Sequence, residues 1–370
     1  MNKSKERWVV KAGSSLLAGK EEGINQAFVS SLTDQVNTLI QNGVEVIIVS
    51  SGAVARGMHE LNLKKRPNSI NLLQASAAVG QLGLINSYRK EFSKFGIKTA
   101  QVLISHDDIA NRERYLNARN SLNTLLELGV VPIINENDSV STEEISFGDN
   151  DTLAGAITGL TDADKFIMLT DQEGVFSQNP KNNSEAKLLT SIDLDDQFLD
   201  IERIAQSPAG ELGRGGMKTK FEAASLSLNS GAKTWVVDGN YPKILNRIFA
   251  GHKVGTFFKG KRDKLQSRKK WIASLGKPSG KIFIDDGAAK AITKTGSSLL
   301  PVGVFKVLGK FKKGSLVECL NNKKVVAKGL SNFNSEELNL LLGIRSEEIS
   351  SILGYTSEDE VIHRDNLLVS

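Results

Sequence analysis

The chain has one cysteine, four histidines and no apolar run of membrane-spanning length, and each shortage removes a class of function. A lone Cys319 cannot close an intramolecular disulfide and is read as a small buried hydrophobe rather than a nucleophile. His59, His106, His252 and His363 lie too far apart in the sequence to suggest a zinc site, so no metal-ligating residues are predicted. A bilayer span needs about 20 consecutive apolar residues, and none occur; the chain is read as cytoplasmic, with no membrane partner. The pattern G-x-x-x-x-G-K-[ST] is missing as well, which excludes a Walker A nucleotide site.

What is present describes a globular protein of more than one core. At 370 residues the chain exceeds the usual size of a single compact domain, and its 40% hydrophobic and 24% charged content is ordinary for a globular fold. The net charge of +5 is largely local. Lys253, Lys259, Lys261, Arg262, Lys264, Arg268, Lys269 and Lys270 follow one another with only Asp263 opposing, a run that reads first as a solvated linker and second as a surface for anionic partners.

Through the first 260 or so residues, short β-rich apolar runs alternate with stretches of helical spacing. Strands are predicted at Trp8–Val10, Val44–Val49, Lys98–Ile104, Val130–Ile134, Lys165–Thr170 and Thr234–Val237, and helices at 28–40, 71–92 and 111–128. This alternation predicts an α/β fold with a mostly parallel central sheet sandwiched by helices, in which ligands bind at the carboxyl ends of the strands. From Gly280 onward short β segments, Gly- and Asn-rich turns and brief helices predict a small, separate β-rich domain. The expected division is 1–260, a basic linker over 261–278, a second domain over 279–357 and a C-terminal tail over 358–370.

The strand ends of the larger domain carry the polar residues of a phosphoryl-transfer site. Lys11 closes the first strand and is followed by Ala12, Gly13 and Ser14, where a glycine lets backbone N–H groups approach a phosphate and the lysine supplies positive charge. Ser51 and Gly52 follow the second strand. Asn135, Glu136, Asn137 and Asp138 follow the strand ending at Ile134, and Asp138 with the amide oxygens suits an ammonium group. Ser146 to Thr152, with Gly148, Asp149, Asn150 and Asp151, opens a small-residue helix whose free N–H groups favour an anion, although an ordinary Asp/Asn N-cap accounts for that turn alone equally well. Thr170 and Asp171 end the strand KFIMLT and suit a nucleotide base or ribose. Arg214, Gly215, Gly216, Met217, Lys218, Thr219 and Lys220 place a glycine-rich loop before a helix, with Lys220 about one turn inside, so that backbone donors and a cation reach one phosphate.

Taken together these strings resemble the amino acid kinases, and among them the glutamate kinases. KAGSS, SSGAVARG, RERYLNAR, PIINEND, FGDND, LTDQEGVF and GGMKTK occur in the family's order, and GSSLLPVG, ILGY and HRD resemble its C-terminal PUA domain. The resemblance covers nearly the whole chain. It implies ATP-dependent phosphorylation of the γ-carboxylate of L-glutamate to L-glutamyl 5-phosphate, the first step of proline biosynthesis. It also implies the roles: Lys11 and Lys220 on the transferring phosphoryl group, Asp151 orienting them, and Ser51, Gly52, Asn135, Asp138, Asp149 and Asn150 for glutamate. ATP would fall to Lys11, Gly13, Thr170, Asp171 and the loop from Arg214 to Lys220, with Mg²⁺ carried mainly by ATP phosphates and water. A homodimer or homotetramer and feedback inhibition by proline are further implications. Ala12 and Ser14 depart from the family's larger apolar residue and threonine, and Arg214 stands where a threonine is usual.

The residue chemistry suits that reaction. A carboxylate with a reference pKa of about 4.3 is ionised at neutral pH and needs no general base. The difficulty is an anion approaching a polyanion, which two cationic loops relieve without a catalytic histidine. The competing readings are another amino-acid or carbamate kinase of the same fold, which the PUA-like extension and the NEND and GDND pairing oppose, and an RNA-binding protein acting through the PUA-like domain. RNA binding stays open as an accessory activity.

Overall fold

The computed structural model describes residues 5–19, 23–140, 150–180, 183–196, 216–260, 278–355 and 358–369. The chain forms two compact units, one from Met1–Ala110 with Ala118–Arg262 and the other from Asn111–Asn117 with Asp263–Ser370.

The first unit is built on β1 (Arg7–Ala12), α1 (Ser14–Leu17), α2 (Gln26–Gln41), β2 (Glu45–Ser50), α3 (Ala53–Glu60), α4 (Ile70–Ser93), β3 (Lys98–Leu103), α5 (His106–Ala110) and, from Ala118 onward, α6 (Arg112–Glu127). It continues with β4 (Val130–Asn135), α7 (Asn150–Leu160), β5 (Lys165–Thr170), β6 (Ser191–Asp193), α8 (Met217–Asn229), β7 (Lys233–Asp238), α9 (Ile244–Phe249) and β8 (Thr256–Lys259). The sheet runs β3-β4-β2-β1-β5-β7-β8-β6, and every neighbouring pair is parallel except β7 with β8. This is the mostly parallel α/β sheet that the sequence predicts.

The burial of β1 explains its composition. It lies between β2 and β5, with Val10 opposite both Ile48 and Ile167, so both of its faces are covered and the run WVV is wholly buried. Residues from α2, including Val29, Leu32, Val36 and Leu39, share one core with Trp8 and Val10. The same burial makes Lys11 conspicuous: a cation in the centre of a covered sheet requires a counter-charge. The two short strands the sequence did not announce, β6 and β8, extend the sheet beyond β7; β6 has only three residues, too few to display a period.

The second unit holds β9 (Gly280–Ile284), α10 (Asp286–Thr295), β10 (Val304–Leu308), β11 (Leu316–Asn321), β12 (Lys324–Leu330), α11 (Ser335–Leu340), α12 (Ile349–Leu353) and β13 (Leu367–Val369). Its sheet runs β10-β9-β11-β12-β13, antiparallel except for β9 with β11. The segment 358–370, expected as a tail, instead supplies β13, which pairs with β12 through Leu367 and Gly329 and buries Leu367. Three strand residues with one buried side chain give no signal in the sequence. Cys319 is fully buried in this unit's core, and burial pushes its thiol up to about 12, so it behaves as the hydrophobe expected of it. Except for Pro278, the expected linker lies outside the described residues.

Candidate active site

Three elements meet at the carboxylate of Asp151. Lys11 comes from the end of β1, Asp151 from the first turn of α7 and Lys220 from the first turn of α8. Lys11 Nζ lies 2.5 Å from Asp151 Oδ1, and Lys220 Nζ lies 3.0 Å from Oδ2. The Thr219 hydroxyl, which donates to the Gly216 carbonyl at 2.8 Å, is also 3.3 Å from Oδ2. Asp151 is 0% exposed. Burial pushes its carboxyl up, but the charges of Lys11 and Lys220 outweigh burial and hold it well below the usual carboxylate range. One negative charge is thus shared by two cations, leaving net positive charge for an anion.

Close packing of α7 and α8 makes this triad possible. A Cβ on Gly155 would fall 2.7 Å from the Ala223 carbonyl oxygen, so only glycine lets the two helices approach this closely. Behind them Ala154, Ala223 and Ala224 are buried, small side chains that keep the spacing short.

Beside the triad lies a run of side-chain amides. Asn150 Nδ2 donates to the Ser50 carbonyl at 3.2 Å and to Asn135 Oδ1 at 2.8 Å, and lies 3.0 Å from Ser51 Oγ. Asn135 Nδ2 in turn donates to Gln81 Oε1 at 2.8 Å. Asn150 and Asn135 are buried, as are Ser51 and Asp138. Gln81 and Asp138 line a cavity of about 270 Å³ together with Ala77, Gln101 and Asn137. Gly52 starts α3 at φ +105°, a left-handed conformation that favours glycine and turns the chain sharply out of β2.

The structure therefore joins Lys11, Asp151, Thr219 and Lys220 in one cluster and Ser51, Asn135 and Asn150 in another, with Asp138 at the cavity. Gly13 donates its N–H to the Leu169 carbonyl at 3.2 Å, next to Thr170 at the end of β5. Thr170 donates to Asp171 Oδ1 at 3.2 Å. Gly216 caps α8, Met217 opens it, and Lys218 is exposed. Asp149, Arg214 and Gly215 lie outside the described residues.

Three side chains here escape sequence reasoning. Gln81 is buried on α4, where polar Ser76, Gln81 and Ser87 interrupt a buried stripe; that interruption is the signal. His106, set aside above as a zinc ligand, has Nδ1 3.3 Å from Glu136 Oε1 and Nε2 3.2 Å from Thr152 Oγ1, bridging the end of β4 to α7. Tyr88 OH lies 3.0 Å from Ser50 Oγ, fixing the end of β2 from the side of α4. Among the described residues no group of three or more His, Cys, Asp or Glu side chains is placed to hold a metal ion, and no helix is long and apolar enough to cross a membrane.

Known proteins share this organisation across the whole chain. The amino acid kinase family matches residues 6–238, and the PUA domain family matches residues 280–353. A protein named glutamate 5-kinase from Pseudomonas savastanoi pv. phaseolicola is 46% identical over 98% of this chain and 99% of its own. Proteins of the same name from Nitrosococcus oceani and Hydrogenovibrio crunogenus are 46% and 45% identical, over 99% and 100% of this chain and 98% of each relative. With its Lys11–Asp151–Lys220 triad and this end-to-end likeness, the chain belongs to the amino acid kinase family and, within it, to the glutamate 5-kinases.

Proposed function

We propose that the protein transfers the γ-phosphoryl group of ATP to the γ-carboxylate of L-glutamate, forming L-glutamyl 5-phosphate for proline biosynthesis. The observation that carries this reading is the buried Lys11–Asp151–Lys220 triad beside the Asn135–Asn150 amide cluster. A cationic pair held by one carboxylate suits a phosphoryl group whose charge is spread over its oxygens in the transition state. The first turn of α8, opening at Gly216, supplies N–H groups for nucleotide phosphate, and Thr170 and Asp171, at the end of β5, take the nucleoside. Ser51, Gly52, Asn135, Asp138, Asp149 and Asn150 bind glutamate, with Asp138 taking the ammonium group.

The donor set fits a metal carried by the nucleotide. Asp151 is already held by two lysines, and among the described residues no group of three or more His, Cys, Asp or Glu side chains is placed to hold a metal ion. When bound on the nucleotide phosphates, Mg²⁺ would add charge neutralisation to that of Lys11 and Lys220. Because the carboxylate acceptor is already ionised, His106 is not required as a base.

The deciding experiment traps the acyl phosphate with hydroxylamine while offering glutamate, acetylglutamate, aspartate and carbamate. Hydroxamate should form with glutamate and should need ATP and Mg²⁺. Equal or greater turnover with any of the other acceptors would overturn the substrate assignment.

A further inference from the structure

We propose that Gln81 is a specificity-determining residue that donates hydrogen bonds to the α-carboxylate of the amino-acid substrate. The argument is one of hydrogen-bond polarity. The Ser50 backbone carbonyl can only accept, so the Asn150 side chain must present its NH₂ group to it. The same NH₂ group then donates to Asn135, which must offer Oδ1. That leaves Asn135 with its NH₂ group toward Gln81, and Gln81 must offer Oε1. The relay from Ser50 through Asn150 and Asn135 thus has one allowed direction. It ends on the NH₂ group of Gln81.

Gln81 is 8% exposed, and its Nε2 has no hydrogen-bond partner among the described residues. A buried donor left unmade is costly, and native structures satisfy such groups or reserve them for a ligand. The side chain lines the cavity that Asp138 and Glu136 also line; Glu136 is engaged by His106 at 3.3 Å, and Asp138 is the carboxylate set with the Gln81 donor on that space. That pair complements the two charges on the α-carbon of an amino acid: the carboxylate of Asp138 for the ammonium, the amide N–H of Gln81 for the carboxylate. The other end of the relay, Asn150, adjoins Asp151 in the chain and therefore marks the reacting end. Two amide links separate that end from Gln81, which places Gln81 with the backbone of the substrate rather than with its γ-carboxylate.

The inference rests on the proposed glutamate kinase activity, and two variants separate it from that reading. Gln81→Glu keeps an oxygen acceptor for Asn135 but replaces the donor; Gln81→Leu removes both. Binding of L-glutamate and of its α-carboxamide, which keeps the amine and the γ-carboxylate, is measured by calorimetry and as KM. In Gln81→Glu, glutamate should bind weaker by about tenfold or more, the scale of a lost hydrogen bond to a charged group. The carboxamide should lose much less, because its own N–H can donate to the introduced carboxylate, so the preference for glutamate narrows. Gln81→Leu, which removes the donor without adding a like charge, should also weaken glutamate binding. Unchanged glutamate binding in Gln81→Glu, or equal weakening of both ligands, would overturn the assignment while leaving the kinase reading intact. Failure of the wild-type protein to form glutamyl phosphate would overturn the kinase reading instead.

Discussion

Replacing Asp151 by asparagine should separate stability from catalysis at this site. The amide keeps the shape of the carboxylate but removes the charge that Lys11 and Lys220 share, and both lysines are themselves nearly buried, with side chains 7% and 12% exposed. Breaking a buried ion pair by removing one partner costs about 3–5 kcal/mol, since the surviving charge loses its compensation. In a unit of this size each kcal/mol corresponds to about 2–4 °C, so the melting temperature of Asp151→Asn should fall by about 6–20 °C. Lys220→Met is the informative contrast. It leaves Asp151 paired with Lys11 and should cost less stability, while kcat collapses with little change in the KM for glutamate, because the lysine's charge matters most as the phosphoryl group moves. The nucleotide provides an internal check. Polyanionic ATP replaces the missing negative charge, so MgATP should raise the melting temperature of Asp151→Asn by more than it raises that of the wild type. Thermal unfolding with and without MgATP, run beside the hydroxamate assay, reads all three quantities. An Asp151→Asn protein that melts with the wild type, or a Lys220→Met protein of near-normal kcat, would refute the triad.

The same triad fixes a pH dependence. Its carboxyl is held below the ordinary aspartate value of about 3.9, so the stabilisation is complete above that value and is lost only as pH falls through the lower folded one. The melting gap between wild type and Asp151→Asn should therefore be flat from about pH 8 to pH 5 and narrow only in stronger acid; a gap that closes already by about pH 6 would mean that another group titrates. Asp138→Ala should raise the glutamate KM by about tenfold or more with a smaller effect on kcat, by loss of the ammonium partner, and steady-state kinetics at saturating ATP check it. Proline carries the same α-carboxylate and amine as glutamate, so it should inhibit competitively against glutamate; inhibition that persists undiminished at high glutamate would place it elsewhere.

How much of this was legible in the sequence depended on how local each signal is. The WVVKA run of β1 shows its burial directly, because a central parallel strand is apolar on both faces, and the lysine at its end then stands out. The elements of α2, α4 and α6 follow from the spacing of their apolar residues. What stayed hidden depends on contacts distant in the chain. Asn135 reaches Gln81 across 54 positions, and His106 reaches Thr152 across 46, and nothing near either residue announces its partner. β6 and β13 were missed for a different reason. Each has three residues and a single buried side chain, Ile192 and Leu367, so pairing with an existing sheet edge, rather than intrinsic pattern, makes them strands.

The two clusters of the site place opposite demands on burial, and their arrangement satisfies both. In the proposed mechanism the phosphoryl group needs positive charge, which Lys11 and Lys220 would supply because one carboxylate, Asp151, holds both without neutralising both. An amino acid has opposite charges on one carbon and requires fixed dipoles whose direction cannot reverse. Amides fixed from a backbone carbonyl meet that requirement, because no rotation of Asn150 can satisfy the Ser50 oxygen except with its NH₂ group. The first cluster tolerates adjustment as charge moves; the second does not. Asn150 and Asp151, adjacent at the start of α7, each belong to one of them, so under the proposed roles a single helical turn would couple the geometry that selects the substrate to the charge that acts on the phosphoryl group.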